Sequence, residues 1–146
     1  MNTEHFEKLS NMYLSSKVNT QIFDTTECNI EHKKATITLT VAEKYFHALG
    51  AIHGSVYFKL LDDAAFFAVN SIVEDVFILT TSFTTNIVRP VSTGKITAIG
   101  KVRFVSRNLF IAESSMINEA GKEIAFGTGH FAKSKITLSE EIGYKL

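Results

Sequence analysis

Hydrophobic residues form their longest nearly continuous run between Ser55 and Ser71. The run contains neither glycine nor proline, and its length corresponds to roughly four to five turns of α-helix. Apolar residues lie on all sides of such a helix, which is typical of a helix buried in a core. Lys59, Asp62 and Asp63 interrupt the run, so it is too short to cross a membrane. The pattern therefore predicts a buried central helix that carries carboxylates into apolar surroundings.

Amphipathic and alternating patterns predict the elements on either side of this helix. Residues 3–15 bring apolar side chains to one side at helical spacing, which predicts a first helix. Residues 134–146 contain a possible short helical turn. Strands are predicted where β-branched and apolar residues recur between polar turns: Thr20–Ile30, Ala35–Val41, Val76–Val91, Lys95–Val105, Leu109–Ile117 and Lys122–Lys133.

The order of these elements predicts a single α+β domain over residues 1–146. The first two strands are expected to form a hairpin, and short turns between the last four predict an antiparallel meander of sequence neighbours. The apolar helix needs a curved sheet to wrap around it, with the sheet on one side of the helix. In the last strand, Gly127 and Gly129 indicate a bulge or a close backbone approach.

Composition and charge exclude several classes of function. The 146 residues are 45% apolar and carry fifteen basic and fifteen acidic side chains, which disfavours nucleic acid or a membrane surface as the main partner. Cys28 is the only cysteine, and the five histidines show no convincing ligand spacing, so we expect no metal site. The first residues lack the signature of a signal peptide, so a cytoplasmic location is expected.

The start of the central helix is the most promising place for chemistry. His53, Gly54 and Ser55 lie where free backbone N–H groups and the helix dipole stabilise anions and developing oxyanions. A buried carboxylate on the same helix, at Asp62 or Asp63, needs a partner, a proton or a catalytic role. The sequence has no phosphate-binding loop, dinucleotide fingerprint or nucleophile elbow.

These motifs resemble those of the hotdog-fold acyl-CoA thioesterases, specifically the phenylacetate-degradation (PaaI-type) branch. A Gly–x–x–His–Gly–Gly stretch opens the central helix of that branch, and residues 50–55 read GAIHGS here. A Leu–x–Asp–x–Ala stretch follows, matched by residues 60–64, which place Asp62 nine residues after the motif histidine. Ser82, Asn86 and Pro90 match further family positions. The resemblance covers residues 35–133 as a pattern of elements, and its motifs cover residues 47–90.

The resemblance implies a hotdog fold and hydrolysis of an acyl-CoA thioester, without a metal or a bound cofactor, since coenzyme A is part of the substrate. Asp62 would act as nucleophile or general base across the interface of a homodimer or a dimer of dimers. The Gly54 N–H would polarise the carbonyl, and His53 would orient the loop. Asp63 is the close competitor of Asp62 and is a neighbour that could raise its proton affinity.

Two positions depart from the family pattern. Ser55 replaces the second glycine of the motif, and His47 stands where the family often has asparagine or glutamine. His47 is therefore a candidate for polarising the carbonyl or holding the attacking water, and Ser82 resembles a residue that hydrogen-bonds this water. Further expected substrate contacts are Ser55, Asp63, Phe66 and Asn86, with Arg89 and Arg107 as possible partners of the coenzyme A phosphates.

Simpler interpretations stay open at this point. Asp62 could face solvent or pair with Lys59, Gly54 could serve only its backbone angles, and Ser82 could be one more polar residue in its strand. The alternative functions are a non-catalytic acyl-CoA or ligand-binding module and a hotdog hydratase or dehydratase, which would pair His53 with Asp62. The sequence does not decide between aryl and straight-chain acyl groups.

Overall fold

The central helix lies against one face of a single antiparallel sheet. We describe residues 2–146 of the chain from a computed structural model. The helices are α1 (Thr3–Ser15) and α2 (Gly54–Asn70), and short helical turns lie at Val18–Ile22, Glu43–Tyr45 and Glu140–Ile142. The strands are β1 (Glu27–Glu31), β2 (Lys34–Thr40), β3 (Val76–Ile87), β4 (Lys95–Val105), β5 (Phe110–Ile117) and β6 (Glu123–Thr137).

The predicted buried central helix is confirmed. From Ala64 to Asn70 every residue of α2 is buried, and Leu60 and Leu61 are almost completely shielded. The sheet approaches the helix most closely at Gly100 of β4, where an added Cβ atom would lie 2.2 Å from the carbonyl oxygen of Ala64. Glycine at this position therefore allows the sheet to wrap the helix backbone, as the α+β prediction requires.

The predicted meander is wrong for β3. The strand order is β1-β2-β4-β5-β6-β3, with every neighbouring pair antiparallel, so β3 pairs with β6 and lies at an edge. Both edges of β4 are occupied, one by β2 and the other by β5. The seven residues between β3 and β4 are longer than a tight hairpin loop, and they let the chain cross from one part of the sheet to another. The predicted hairpin of β1 and β2 is confirmed.

The predicted strand Thr20–Ile30 is wrong in its first half. Val18–Ile22 forms a π-helical turn, in which the backbone N–H of Phe23 donates to the carbonyl of Val18 at 2.9 Å. The side-chain amide of Asn19 donates to the carbonyl of Tyr13 at 2.8 Å, which holds this turn against the end of α1. A buried polar side chain thus keeps the chain compact where its sequence suggested extension.

The boundaries of the late strands also differ from the prediction. β3 ends at Ile87, before the predicted Val91, and β6 continues beyond the predicted Lys133 to Thr137. Gly127 and Gly129 are close-approach positions, as predicted. A Cβ atom added at Gly127 would lie 2.6 Å from the ring of Phe83, and one added at Gly129 would lie 2.7 Å from the same ring. Within residues 2–146, no helix is long and apolar enough to span a membrane.

Candidate active site

Asp62 lies on the side of α2 that faces the edge strand β3. The hydroxyl of Thr80 on β3 donates a hydrogen bond to Asp62 Oδ1 at 2.8 Å, and the carboxylate lines an open cleft of about 840 Å³. Burial raises the pKa of Asp62 to about 6, and the nearby charge of Asp63 adds to this, while the Thr80 hydrogen bond and Lys59 oppose it. Asp62 is thus partly buried in the cleft wall and is not paired with Lys59, contrary to the simpler interpretations.

Lys59 pairs instead with Asp63, one turn further along the helix. Lys59 Nζ lies 2.6 Å from Asp63 Oδ2, and the side chains of the pair are only 14% and 19% exposed. The hydroxyl of Tyr13 on α1 donates to the same carboxylate oxygen at 2.6 Å. Burial, and then the Asp63 charge, raise the pKa of Tyr13, so its phenol stays protonated as a donor. Asp63 is therefore committed to joining α1 to α2.

The ammonium group of Lys59 makes several further contacts, although its side chain remains 14% exposed. Besides Asp63, it donates to Asn19 Oδ1 at 2.8 Å and to the Tyr13 hydroxyl oxygen at 3.1 Å. Its Nζ also lies 4.7 Å from the ring centre of Phe23 and 5.0 Å from that of Tyr13, within cation–π range. We call Tyr13, Asn19, Lys59 and Asp63 the polar clamp; it forms part of the wall of the cleft.

The helix start has the geometry of an anion-binding N-terminus. His53 caps α2: its Nδ1 accepts from the backbone N–H of Ser55 at 3.0 Å, and the Ser55 hydroxyl oxygen lies 2.8 Å from the same nitrogen. The ring thereby connects the loop before α2 to the first turn of the helix. Gly54 does not have a positive φ, and an added Cβ atom would meet only Ile87 Cδ1 at 3.4 Å. Neither backbone angle nor tight packing requires glycine there.

Gly54 and Asp62 of one chain are too far apart to act on the same carbonyl group. Eight residues separate them along α2. At 1.5 Å per residue this corresponds to about 12 Å along the helix axis. The same arithmetic separates His53 from Asp62 by about 13 Å, so a histidine–carboxylate pair cannot form within one chain. Any site that uses both the His53–Gly54 helix start and Asp62 therefore needs a second copy of the chain.

Several other predicted site residues lie outside the cleft. His47 is exposed in the loop before α2, and its Nδ1 accepts from the backbone N–H of Leu49 at 3.1 Å. Asn86 is exposed on β3, and Arg107 is exposed in the turn after β4. The Arg89 guanidinium is also exposed and donates to the backbone carbonyl of Glu123. A single chain does not bring these four residues to Asp62, whereas Ser55, Asp63 and Phe66 do line the cleft.

The hydroxyl next to the carboxylate belongs to Thr80, which the sequence did not single out. Ser82 Oγ lies 2.8 Å from His130 Nδ1 on β6 instead. A regular strand would direct residues 80 and 82 to the same face. A register shift between Thr80 and Ser82 breaks this alternation, so their side chains meet different partners. The only sequence signal for Thr80 was its position on a strand that packs against α2. Many other residues share that position, so the signal did not single out Thr80.

A group of aromatic rings supplies another part of the cleft wall. Phe66 is the centre of this group: its ring centre lies 4.9 Å from that of Phe67 and 5.3 Å from that of Phe77. Phe23 lines the cleft beside the polar clamp. The predicted place of Phe66 beside an acyl group is thus compatible with its position. Within residues 2–146, no group of three or more histidine, cysteine, aspartate or glutamate side chains is arranged to hold a metal ion.

Fold and sequence together define the class of the protein. The sequence profile of the thioesterase superfamily matches residues 49–125, which is more than half of the chain and includes the helix start, Asp62 and Thr80. The chain therefore belongs to the thioesterase superfamily. No curated protein sequence matches it.

Solved structures share the architecture at low sequence identity. The PaaI protein of the E. coli phenylacetic acid degradation operon is 19% identical, with a TM-score of 0.83 over 94% of this chain and 98% of that one. A mutant of the phenylacetic acid degradation protein PaaI from Thermus thermophilus is 21% identical, with a TM-score of 0.68 over 75% and 93% of the two chains. A mutant thioesterase from Pseudomonas aeruginosa is 15% identical, with a TM-score of 0.76 over 91% and 94%. These likenesses confirm the hotdog fold and the resemblance to the PaaI type.

Proposed function

We propose that this protein hydrolyses acyl-CoA thioesters, with Asp62 activating the attacking water or attacking the carbonyl carbon itself. The observation that carries the proposal is the placement of Asp62: a carboxylate with a raised pKa, held by Thr80, in an apolar cleft. A base whose pKa lies near neutrality combines an ionised state at pH 7 with useful basicity. The result is free coenzyme A and a carboxylic acid.

Bond making and breaking balance without a further reactant. In the water route, Asp62 accepts a proton from water as the oxygen adds to the carbonyl carbon, and the C–S bond then breaks. The coenzyme A sulfur leaves as a thiolate and takes up the proton. Because water and a carboxylate suffice for this reaction, we propose no metal and no bound cofactor.

A second copy of the chain completes the proposed site. The oxyanion would be stabilised by the Gly54 N–H of one chain while Asp62 of the other chain activates the nucleophile, since about 12 Å separates the two groups within one chain. Edge strand β3 offers the surface for this pairing. It is twelve residues long, hydrogen-bonds only to β6, and carries exposed apolar side chains at Leu79 and Ile87. A twofold pairing of β3 strands would remove this open edge.

The predicted site residues that lie outside the cleft can contribute to the proposed site only if a second copy of the chain brings them to it. His47 would lie near the partner's thioester, and Ser82 and Asn86 lie along β3 at the proposed interface. Arg89 and Arg107 remain candidates for the phosphates of coenzyme A, because both are exposed cations. A homodimer or a dimer of dimers acting on cytoplasmic acyl-CoA is therefore the proposed working form.

The decisive experiment is a thiol-release assay over a panel of acyl-CoA thioesters. The wild-type protein should release free thiol, and Asp62→Asn should lower kcat/KM at least 100-fold, the size expected for loss of a general base. Asp75→Asn is a suitable control, because Asp75 is an exposed carboxylate outside the cleft. Tight binding without thiol release by the wild type would instead favour the binding module. Addition or loss of water on an enoyl- or hydroxyacyl-CoA, without thiol release, would favour the hydratase.

Mixing two inactive variants tests whether the site is shared. Asp62→Asn and Gly54→Val should each be inactive as homodimers, since one lacks the base and the other blocks the N–H. In mixed dimers, one of the two sites contains native residues at both positions, so random pairing should restore about a quarter of the wild-type rate. If each site used Asp62 and Gly54 of a single chain, mixing would restore nothing.

A further inference from the structure

We infer that the acyl group that this site accepts is a long, unbranched aliphatic chain rather than an acetyl or single-ring aryl group. The inference rests on the proposed function, because it names the substrate class of the same cleft. It is carried by three features of the cleft wall: its volume, its exposed aliphatic rim, and the lack of a free hydrogen-bond donor in the clamp.

The volume is far larger than a short acyl group needs. The cleft measures about 840 Å³, whereas a six-carbon aromatic ring is accommodated in a cavity of about 150 Å³. A phenylacetyl group would leave most of the space to water, and an acetyl group would leave nearly all of it. At roughly 25 Å³ per carbon, half of the volume would already hold a chain of about sixteen carbons.

Exposed aliphatic side chains form a rim along one part of the cleft. Val18 and Ile22 belong to the π-helical turn, and Ile136 and Ile142 belong to the end of β6 and the following turn. They are 42%, 52%, 52% and 37% exposed. Single exposed apolar residues are common on protein surfaces, but four that border one open cleft mark a surface that is covered when a ligand is bound. We call them the aliphatic rim.

The polar clamp has no free hydrogen-bond donor for a polar acyl group. The three N–H bonds of Lys59 have three acceptors, on Asp63, Asn19 and Tyr13, and the Tyr13 O–H donates to Asp63. A carboxylate or carbonyl group at the far end of the acyl group would have to break one of these bonds or stay unpaired, at a cost. A hydrocarbon chain meets the rings of Phe23 and Phe66 without such a loss.

The positions of the cleft residues along α2 give the bound acyl chain a direction. Asp62 and Thr80 mark where the thioester carbonyl reacts, and Phe66 follows Asp62 by one helical turn on the same side. Phe77 packs against Phe66, and the aliphatic rim lies on the same cleft. An extended acyl chain that begins at Asp62 therefore passes the phenylalanine rings and ends at the rim.

The test compares kcat/KM for acetyl-, phenylacetyl-, octanoyl- and dodecanoyl-CoA. Each buried methylene group should raise kcat/KM up to about fourfold, so octanoyl-CoA should exceed acetyl-CoA at least 100-fold. Dodecanoyl-CoA should be at least as good as octanoyl-CoA. A preference for acetyl- or phenylacetyl-CoA over octanoyl-CoA would overturn the inference while leaving the thioesterase proposal intact.

A pair of matched variants tests where the end of the acyl chain lies. Ile22→Ser should lower kcat/KM for dodecanoyl-CoA at least fivefold, with a smaller loss for acetyl-CoA. Val105→Ser is the control: Val105 is 46% exposed but lies outside the cleft, and its replacement should change neither value. Equal losses for both substrates in Ile22→Ser would count against the rim as the end of the chain.

Binding separates failure of this inference from failure of the proposed function. If no acyl-CoA releases thiol, the proposed function fails, and calorimetry on the wild-type protein still decides the inference. Dodecanoyl-CoA should then bind at least 100-fold more tightly than acetyl-CoA, and more tightly than phenylacetyl-CoA. Equal affinities would show that the cleft does not select hydrocarbon length.

Discussion

Asp62 and Asp63 are neighbours in sequence, yet the fold gives them opposite surroundings. Asp62 faces β3, has one hydroxyl partner at Thr80, and has a pKa raised to about 6. Asp63 faces α1 and shares its Oδ2 atom between Lys59 and Tyr13. One carboxylate is left available on the cleft wall, and the other is held in a network that joins two helices.

The difference follows from helix geometry. Successive residues of an α-helix point about 100° apart, so two adjacent side chains cannot share one environment. Burial without a cation makes the ionised form of Asp62 unfavourable, whereas Lys59 compensates the charge of Asp63. The comparison supports the proposed catalytic role of Asp62 and indicates a stabilising role for Asp63.

The largest expected effect is on stability, with opposite signs at the two positions. Asp63→Ala should lower the free energy of unfolding by about 3 kcal/mol, because Lys59 is left buried without its partner. Asp62→Asn should raise it at pH 7 by about 1–3 kcal/mol, because a carboxylate whose pKa rises from 3.8 to about 6 on folding destabilises the folded state when ionised. Urea unfolding measures both, and a loss of stability in Asp62→Asn would contradict the assignment.

The second effect is a pH dependence that belongs to Asp62. In the proposed mechanism the active form of Asp62 is the carboxylate, so kcat/KM should fall about tenfold per pH unit below a midpoint near pH 6. Stability should change in the opposite direction: the folded state binds more protons than the unfolded state between about pH 3.8 and 6. The Asp62 contribution therefore becomes more favourable as pH falls through this window. Thiol release measured from pH 4.5 to 8, with parallel urea titrations, separates the two trends.

A smaller effect is expected from removing the hydroxyl partner. The Thr80 hydrogen bond stabilises the ionised form of Asp62, so Thr80→Val should raise its pKa further. A hydrogen bond to a charged group of this kind corresponds to about one pKa unit. The acidic limb of the pH–rate profile should therefore move upward by up to about that amount. Ser82→Ala is the matched control, because its hydroxyl contacts His130 rather than Asp62, and an equal shift in this control would contradict the assignment to Thr80.

The smallest expected effect tests the coupling between the two carboxylates. The charge of Asp63 contributes to the raised pKa of Asp62, although less than burial does. Asp63→Asn should accordingly move the acidic limb downward by a few tenths of a pH unit. An upward movement would show that the replacement acts on Asp62 through altered packing rather than through charge.

The sequence predicted those features that depend on residues close to one another in the chain. The all-round apolar run predicted α2, and the motif around His53 and Gly54 placed a cap and an anion-binding helix start where the structure has them. The residues that it missed are brought together by packing between distant segments. Tyr13 lies 46 residues from Lys59 in sequence, and Thr80 lies 18 residues from Asp62.

The sequence by itself determined the buried central helix, the polar residues that interrupt it and the superfamily pattern. Helical periodicity and local capping depend on side chains only a few positions apart. Tertiary structure decided that β3 leaves β4 and forms the edge beside β6, and that a register shift turns Thr80 rather than Ser82 toward the carboxylate. It also brought Tyr13 and Asn19 from a distant segment onto the Lys59–Asp63 pair. These choices depend on which surfaces meet when the sheet closes around the helix, and no local pattern along the chain carries that information.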